Sequence, residues 1–104
     1  MPAAERYVWT HHVRQKLRHY RLTESRVKRI IRRPARIEEG IVEGAVACMQ
    51  PAGGRRYAEI WTLYVLSGTR NKQVKVISAW RYPGQSPKRD PIPSDILKEI
   101  QLLV

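Results

Sequence analysis

The spacing of the apolar residues changes at Pro34, and this change divides the chain into a helical part and a strand part. Before Pro34, apolar side chains recur every three or four positions, which is the period of one helix face. Two such stripes are present: Val13, Leu17 and Tyr20, and then Val27, Ile30 and Ile31. Thr10 and Thr23 stand where each helix would begin and can accept a hydrogen bond from a free backbone N–H. With a tight turn at Leu22-Thr23 and a stop at Pro34, the pattern predicts an αα-hairpin.

After Pro34 the pattern is that of strands separated by turns. Extended segments are predicted at 6–9, 35–38, 43–50, 57–66 and 73–82, with a hairpin loop at 67–71. The segment 57–66 is apolar on both faces, so we expect it to be a central strand. Alternation along the last strand predicts that Trp80 shares a face with Val74 and Val76, whereas Arg81 lies on the opposite face.

These elements predict an α+β fold in two layers, with an N-terminal αα-hairpin packed on an antiparallel sheet of three to four strands. A chain of 104 residues has the length of one domain, which we place at 1–82. The remaining segment, 83–104, reads as a proline-rich linker and a short C-terminal helix that packs on the same domain. The apolar residues of that helix are Ile96, Leu97, Ile100 and Leu102.

Basic residues are concentrated in the first third of the chain. The formal net charge is +11, and residues 1–36 hold eleven Lys or Arg against two Glu. A folded domain gains no stability from such an excess, because like charges repel one another. The excess therefore indicates a polyanionic partner: nucleic acid, an anionic membrane or an acidic protein. A membrane is the least favoured, because the apolar stripe of the second helix is needed for the core and has no Trp or Phe.

The compartment is predicted from what the sequence lacks. Cys48 is the single cysteine, which excludes an internal disulfide and a secreted disulfide-rich scaffold. The first residues contain no apolar segment typical of a signal peptide. No run approaches the roughly 18 apolar residues of a membrane span. We therefore expect a cytoplasmic protein.

The second predicted helix carries the strongest binding signal. Its cations and those of the following segments are Arg26, Lys28, Arg29, Arg32, Arg33, Arg36, Arg55 and Arg56. Arg26, Arg29 and Arg33 share one helix face, where an anion would offset their mutual repulsion. We predict that this face binds nucleic acid, most simply RNA or the ribosome. The alternative is a helix face that is only solvated.

His12 is a candidate acid–base group, since the ordinary pKa of histidine lies near neutrality. The alternative is a surface histidine with no chemical role. His11, His12, His19 and Cys48 lack the CxxC or HxxxH spacing of a zinc site, so no metal and no cofactor is predicted.

Several short motifs resemble the BrnT-like proteins of the RelE/ParE-like superfamily of bacterial toxins. They are Thr10-His11-His12-Val13, Lys16, Leu22-Thr23-Glu24-Ser25, Ile31-Arg32-Arg33-Pro34 and Val76-Ile77-Ser78-Ala79-Trp80-Arg81. The resemblance spans roughly residues 6–82. It implies two helices on an antiparallel sheet, and a metal-independent endoribonuclease that is neutralised by an acidic antitoxin. By position, it implies catalytic roles for His12, Lys16 and Arg81. RNA binding is the favoured function from charge, and RNA cleavage is the alternative.

Overall fold

The computed structural model describes residues 6–68 and 72–103. The elements are β1 (Arg6–Trp9), α1 (His11–Tyr20), α2 (Glu24–Arg32), β2 (Arg36–Glu39), β3 (Val46–Pro51), β4 (Ala58–Ser67), β5 (Gln73–Pro83) and α3 (Ser94–Leu103). The predicted α+β class is confirmed. The tip of the predicted hairpin loop, 69–71, lies outside the described residues. None of the helices in the described part is long and apolar enough to cross a membrane.

These strands form one sheet in the order β1-β5-β4-β3-β2. β4 is the middle strand, as its two apolar faces predicted. The predicted count of three to four strands is wrong, because β1 and β2 extend the sheet at its two edges. The sheet is also mixed rather than antiparallel, since β1 pairs with β5 in the parallel direction, with Arg6 opposite Gln73. A four-residue strand carries no local sign of a partner so distant in sequence.

Helices cover both faces of the sheet, so the predicted arrangement of two layers is wrong as well. Ile60 and Trp61 follow one another in β4 and point to opposite faces. Ile60 packs with buried side chains of α1 and α2, whereas Trp61 packs with Ile96 and Ile100 of α3. Because β4 is apolar on both sides, each side needs a cover. Leu102, predicted among the apolar residues of α3, is instead 87% exposed.

A bulge interrupts the pairing between β4 and β5. Leu63 pairs with Ser78, but the next residue, Tyr64, pairs with Val76. Ile77 is therefore the extra residue on β5. An extra residue reverses which face each later side chain of the strand occupies.

The bulge corrects the predicted faces of β5. Trp80 lies on the α3 face, stacked on Trp61 with ring centroids 6.3 Å apart, and not on the face of Val74 and Val76. Arg81 pairs with Ile60 and lies on the face that α1 and α2 cover. The bulge thus directs an arginine of the last strand toward α2.

Both predicted helix caps are present. The Thr10 hydroxyl accepts a hydrogen bond from the Val13 N–H at 3.1 Å and donates one to the Val76 carbonyl at 3.0 Å. This second bond ties the start of α1 to β5. The Thr23 hydroxyl accepts from the Arg26 N–H at 3.0 Å. Replacing such a cap by alanine typically costs about 1 kcal/mol.

A buried carboxylate fixes the proline-rich segment 83–93 to the sheet. Glu59 of β4 is fully buried. Its Oε1 accepts hydrogen bonds from Trp61 Nε1 at 2.9 Å and from the backbone N–H and hydroxyl of Ser86 at 3.2 and 2.6 Å. Its Oε2 accepts one from the Tyr57 hydroxyl at 2.9 Å. The segment is thereby part of the packed structure.

Acid is expected to destabilise the fold through this carboxylate and Glu38. Burial raises the pKa of Glu59, but the hydrogen bonds that Ser86 and its neighbours donate outweigh burial and hold the pKa below its ordinary value. The pKa of Glu38 is lowered chiefly by the hydrogen bond from the Arg89 backbone N–H. Since both folded pKa values lie below the unfolded ones, the stabilisation is complete above about pH 4.3 and is lost as the pH falls through the folded values. Urea unfolding at about pH 6 and about pH 3 measures this, and equal free energies of unfolding would contradict it.

Candidate nucleic-acid interface

Four arginines from three parts of the chain surround one cavity of about 260 Å³. This arginine cavity is lined by Arg21, Leu22, Thr23, Arg26, Arg29, Ala52, Ile60 and Arg81. The arginines come from the turn between α1 and α2, from α2 itself and from β5. No residue of the lining is acidic. The cavity is therefore strongly positive, and folding is what brings its cations together.

Backbone carbonyl groups hold two of these guanidinium groups in place. Arg26 Nη2 donates to the carbonyl of Pro51 at 2.9 Å, and Arg81 Nε donates to the carbonyl of Tyr20 at 2.9 Å. Arg21 ends α1 in the left-handed conformation, with φ 56°. That conformation costs a residue other than glycine roughly 1–2 kcal/mol. The cavity is thus assembled on fixed backbone positions.

Arg26 is the most constrained of the four arginines. Its Nε is shielded from solvent and has no hydrogen-bond partner among the residues that the structure describes. Burial lowers the pKa of Arg26, and the charges of Arg29 and Arg81 lower it further. A bound anion would offset the repulsion between the guanidinium groups. The arrangement is suited to a phosphate.

A second cavity, of about 460 Å³, is lined by His12, Gln15, Lys16, His19 and Glu99. In this histidine cavity, His12 Nε2 lies 3.1 Å from Ser78 Oγ and 3.6 Å from Glu99 Oε2. Lys16 Nζ lies 2.8 Å from the same carboxylate oxygen and 3.1 Å from Oε1. Unlike the arginine cavity, this one contains both signs of charge.

Burial determines the protonation of His12. The side chain is 12% exposed, and burial lowers its pKa below the ordinary value of histidine. The Glu99 carboxylate raises the pKa and Lys16 lowers it, and the net direction is downward. At neutral pH the imidazole is therefore mainly neutral and able to accept a proton. Nε2 faces both the Ser78 hydroxyl and the Glu99 carboxylate, and whether it donates or accepts a hydrogen bond depends on the tautomer of the ring.

The structure divides the three predicted catalytic residues between the two cavities. His12 and Lys16 are four residues apart on α1 and line the histidine cavity together. Arg81 lines the arginine cavity with Arg26 and Arg29. Arg81 is bonded to α1, the helix that carries His12 and Lys16, through the carbonyl of Tyr20 at the end of that helix.

The predicted binding residues also fall into groups. Arg29, Arg32 and Arg33 are exposed along α2 and at its end. Lys28 lies over the Tyr7 ring, 5.1 Å from its centroid. Arg55 and Arg56 are exposed in the loop between β3 and β4, whose first residue, Ala52, lines the arginine cavity.

Arg36 lies apart from this basic surface. Its β2 position pairs with Met49, whose side chain belongs to the α3 face. The guanidinium stacks on Trp61 at 5.0 Å and donates to Glu38 at 3.1 Å and to the Ser86 carbonyl at 2.9 Å. Arg36 thus stabilises the fold on the face opposite α2. Its position in the sequence, close to Arg32 and Arg33, had suggested that it belongs to the same binding surface.

Three residues of these sites were not predicted from the sequence. Glu99 reaches the histidine cavity from α3 and carries no local signal, because it contacts residues far away in the chain. Ser78 reaches His12 from β5, directly after the extra residue Ile77 of the bulge. Arg21 was recognisable only as a turn residue.

Cys48 takes no part in either cavity. It is buried in the core beneath α1 and α2, and burial raises the pKa of its thiol to about 12. Within 6–68 and 72–103, no three His, Cys, Asp or Glu side chains lie close enough together to hold a metal ion.

Comparison with models of protein families, with curated proteins and with solved structures found no significant match. The function of the two cavities is therefore inferred from the chemistry of their side chains.

Proposed function

We propose that this protein binds RNA through the surface formed by α2, the turn before it and the arginine cavity. The observation that carries the proposal is the convergence of Arg21, Arg26, Arg29 and Arg81 on a cavity whose lining has no acidic residue. Such a cluster repels itself in the absence of a ligand, and a phosphate relieves that repulsion. The fold holds the cluster in spite of this cost.

The cations outside the cavity favour a polyanion over a small anion. Arg32, Arg33, Arg55 and Arg56 are exposed and have no acidic partner among the contacts of the described residues. They extend the positive surface beyond the cavity, as a chain of phosphates requires. A bilayer fits less well, because Val27 and Ile30 of α2 are buried in the core and cannot insert. The choice of RNA over DNA rests on the resemblance to BrnT-like proteins.

Affinity for RNA is expected to fall steeply with salt. If about five cations neutralise phosphates on a single strand, the slope of log K against log salt is roughly −3.5, and a fourfold rise in salt costs on the order of 10²-fold. Replacing Arg29, Arg32 and Arg33 together with alanine should make the slope less negative by about 2. Fluorescence anisotropy with a labelled single-stranded RNA measures both quantities.

The matched control removes the same charge elsewhere. Lys75, Lys88 and Lys98 are exposed on β5, on the proline-rich segment and on α3. Their triple alanine variant should change the slope by much less than the α2 variant. An affinity that is indifferent to salt, or two triple variants with equal slopes, would overturn the proposed surface.

RNA cleavage without a metal is the second candidate function, and the histidine cavity favours it. A mainly neutral His12 lies in the same cavity as the Lys16 ammonium, 12% and 17% exposed respectively. A base near the 2′-hydroxyl and a cation near the phosphate are the groups that such a reaction needs. In this candidate, Arg81 holds a neighbouring phosphate in the arginine cavity. An acidic antitoxin, which the resemblance implies, would compete with RNA for the same basic surface.

A further inference from the structure

We propose that the arginine cavity is a pocket for a terminal phosphate monoester, so that the protein recognises the phosphorylated end of an RNA strand. This inference rests on the proposed RNA binding and assigns a specific part of the RNA to this cavity. The exposed cations of α2 and of the β3–β4 loop would hold the adjoining phosphodiesters.

The charge of the cavity matches a dianion better than a monoanion. Its lining holds four guanidinium groups and no carboxylate. A phosphate monoester carries about −1.5 to −2 at pH 7, because its second pKa is near 6. An internal phosphodiester carries a single negative charge. The excess of positive charge in the cavity therefore favours the end of a strand over its interior.

The donors of the cavity match the oxygens of a monoester. Arg26 uses Nη2 for the Pro51 carbonyl, which leaves Nη1 for a ligand. Arg81 uses Nε for the Tyr20 carbonyl, which leaves its two Nη groups for a ligand. A monoester presents three terminal oxygens to these donors, whereas a diester presents two. Convergent guanidinium groups from α2 and β5 can therefore satisfy a monoester more completely.

The shape of the cavity agrees with a strand end. Leu22 and Ile60, 9% and 2% exposed, lie in its lining and are anchored in the core beneath α1 and α2. Its volume of about 260 Å³ equals roughly eight or nine waters at about 30 Å³ each. A cavity of this volume accommodates a phosphate with part of the attached sugar.

The test compares RNA strands that differ only at one end. Strands of one sequence carry either a 5′-phosphate or a 5′-hydroxyl with the dye at the 3′ end, and a second pair carries the 3′-phosphate or 3′-hydroxyl with the dye at the 5′ end. We expect the phosphorylated strand of one pair to bind about tenfold or more tightly, as charge-assisted hydrogen bonds allow. The pair that shows the preference identifies which end is recognised.

Two variants connect the preference to the cavity. Arg26→Lys keeps the charge but loses the planar set of guanidinium donors, and Arg81→Gln removes a charge from a different element, in case the first variant fails to fold. Each should bring the two strands to within about twofold of each other while hydroxyl-ended RNA still binds. Lys98→Gln, an exposed change on α3 that also removes one charge but lies outside the cavity lining, should keep the full preference.

The outcomes separate this inference from the proposed function. Equal binding of both strands in both pairs overturns the terminal-phosphate pocket and leaves RNA binding in place. A preference that survives both Arg26→Lys and Arg81→Gln also overturns it. Failure of all strands to bind overturns the inference and the proposed function together.

Discussion

Replacing Glu59 with alanine is expected to lower the free energy of unfolding by about 3–5 kcal/mol. The substitution leaves the Trp61 N–H and the two Ser86 donors without their acceptor in a buried site. It also removes the carboxylate that lies 3.9 Å from the Arg36 guanidinium. Each unsatisfied buried group costs about 1–3 kcal/mol. Since small domains are stable by only about 5–15 kcal/mol, the variant should unfold at low urea.

Urea unfolding of Glu59→Ala beside Glu43→Ala measures this effect, because Glu43 is exposed and appears in no hydrogen bond or ion pair of the described structure. Glu59→Gln keeps one acceptor oxygen and should lose less stability than Glu59→Ala. Equal losses in the Glu59→Ala and Glu43→Ala variants would contradict a structural role for the buried carboxylate.

The local elements of this fold could be predicted, because their signals lie within a few residues. Helix periodicity and the caps at Thr10 and Thr23 predicted both N-terminal helices. The apolar run at 57–66 gave the central strand. The partner of β1 and the face that α3 covers could not be predicted, because they depend on contacts between distant segments. A five-strand mixed sheet results from those contacts.

The candidate sites show the same limit. The resemblance named His12 and Lys16, and the structure brings them together in one cavity because they are four residues apart on α1. Arg81 could not be placed, because its face depends on the extra residue Ile77 in β5. Without that bulge, strict alternation would put Arg81 on the α3 face, away from Arg26. One irregular residue therefore decides whether the arginine cavity has its β5 member.

One candidate site lies on α1 and the other lies beyond its C-terminal end, and the two differ in chemistry. The arginine cavity has only positive charge and suits phosphate binding. The histidine cavity adds Glu99, whose charge opposes the approach of a phosphate but holds Lys16 in place. This difference is why binding is the primary proposal and cleavage the second.

For the cleavage candidate, replacing His12 with alanine is expected to reduce the rate by about 10²–10⁴-fold. In the proposed step the 2′-oxygen attacks the adjacent phosphorus and its proton passes to His12. The bond from phosphorus to the 5′-oxygen breaks, and that oxygen takes a proton from His12 or water, which leaves a cyclic phosphate and a 5′-hydroxyl. Lys16 stabilises the charge that develops on the phosphate oxygens. Cleavage should persist in EDTA, because each of these roles belongs to a side chain.

The decisive assay combines rates with a pH profile on a mixed RNA pool. Because burial lowers the pKa of His12, activity should fall only below the ordinary histidine range, as the imidazole gains a proton. Glu99 raises that pKa, so Glu99→Gln should move the acid limb to lower pH, a shift that a purely structural role would not cause.

His11→Ala is the matched control, since His11 is exposed on the same helix and outside the histidine cavity lining. Arg81→Ala should raise KM more than it lowers kcat, because Arg81 lines the other cavity. If the wild-type protein does not cleave, or cleaves no faster than His12→Ala, the enzyme proposal fails and RNA binding alone remains.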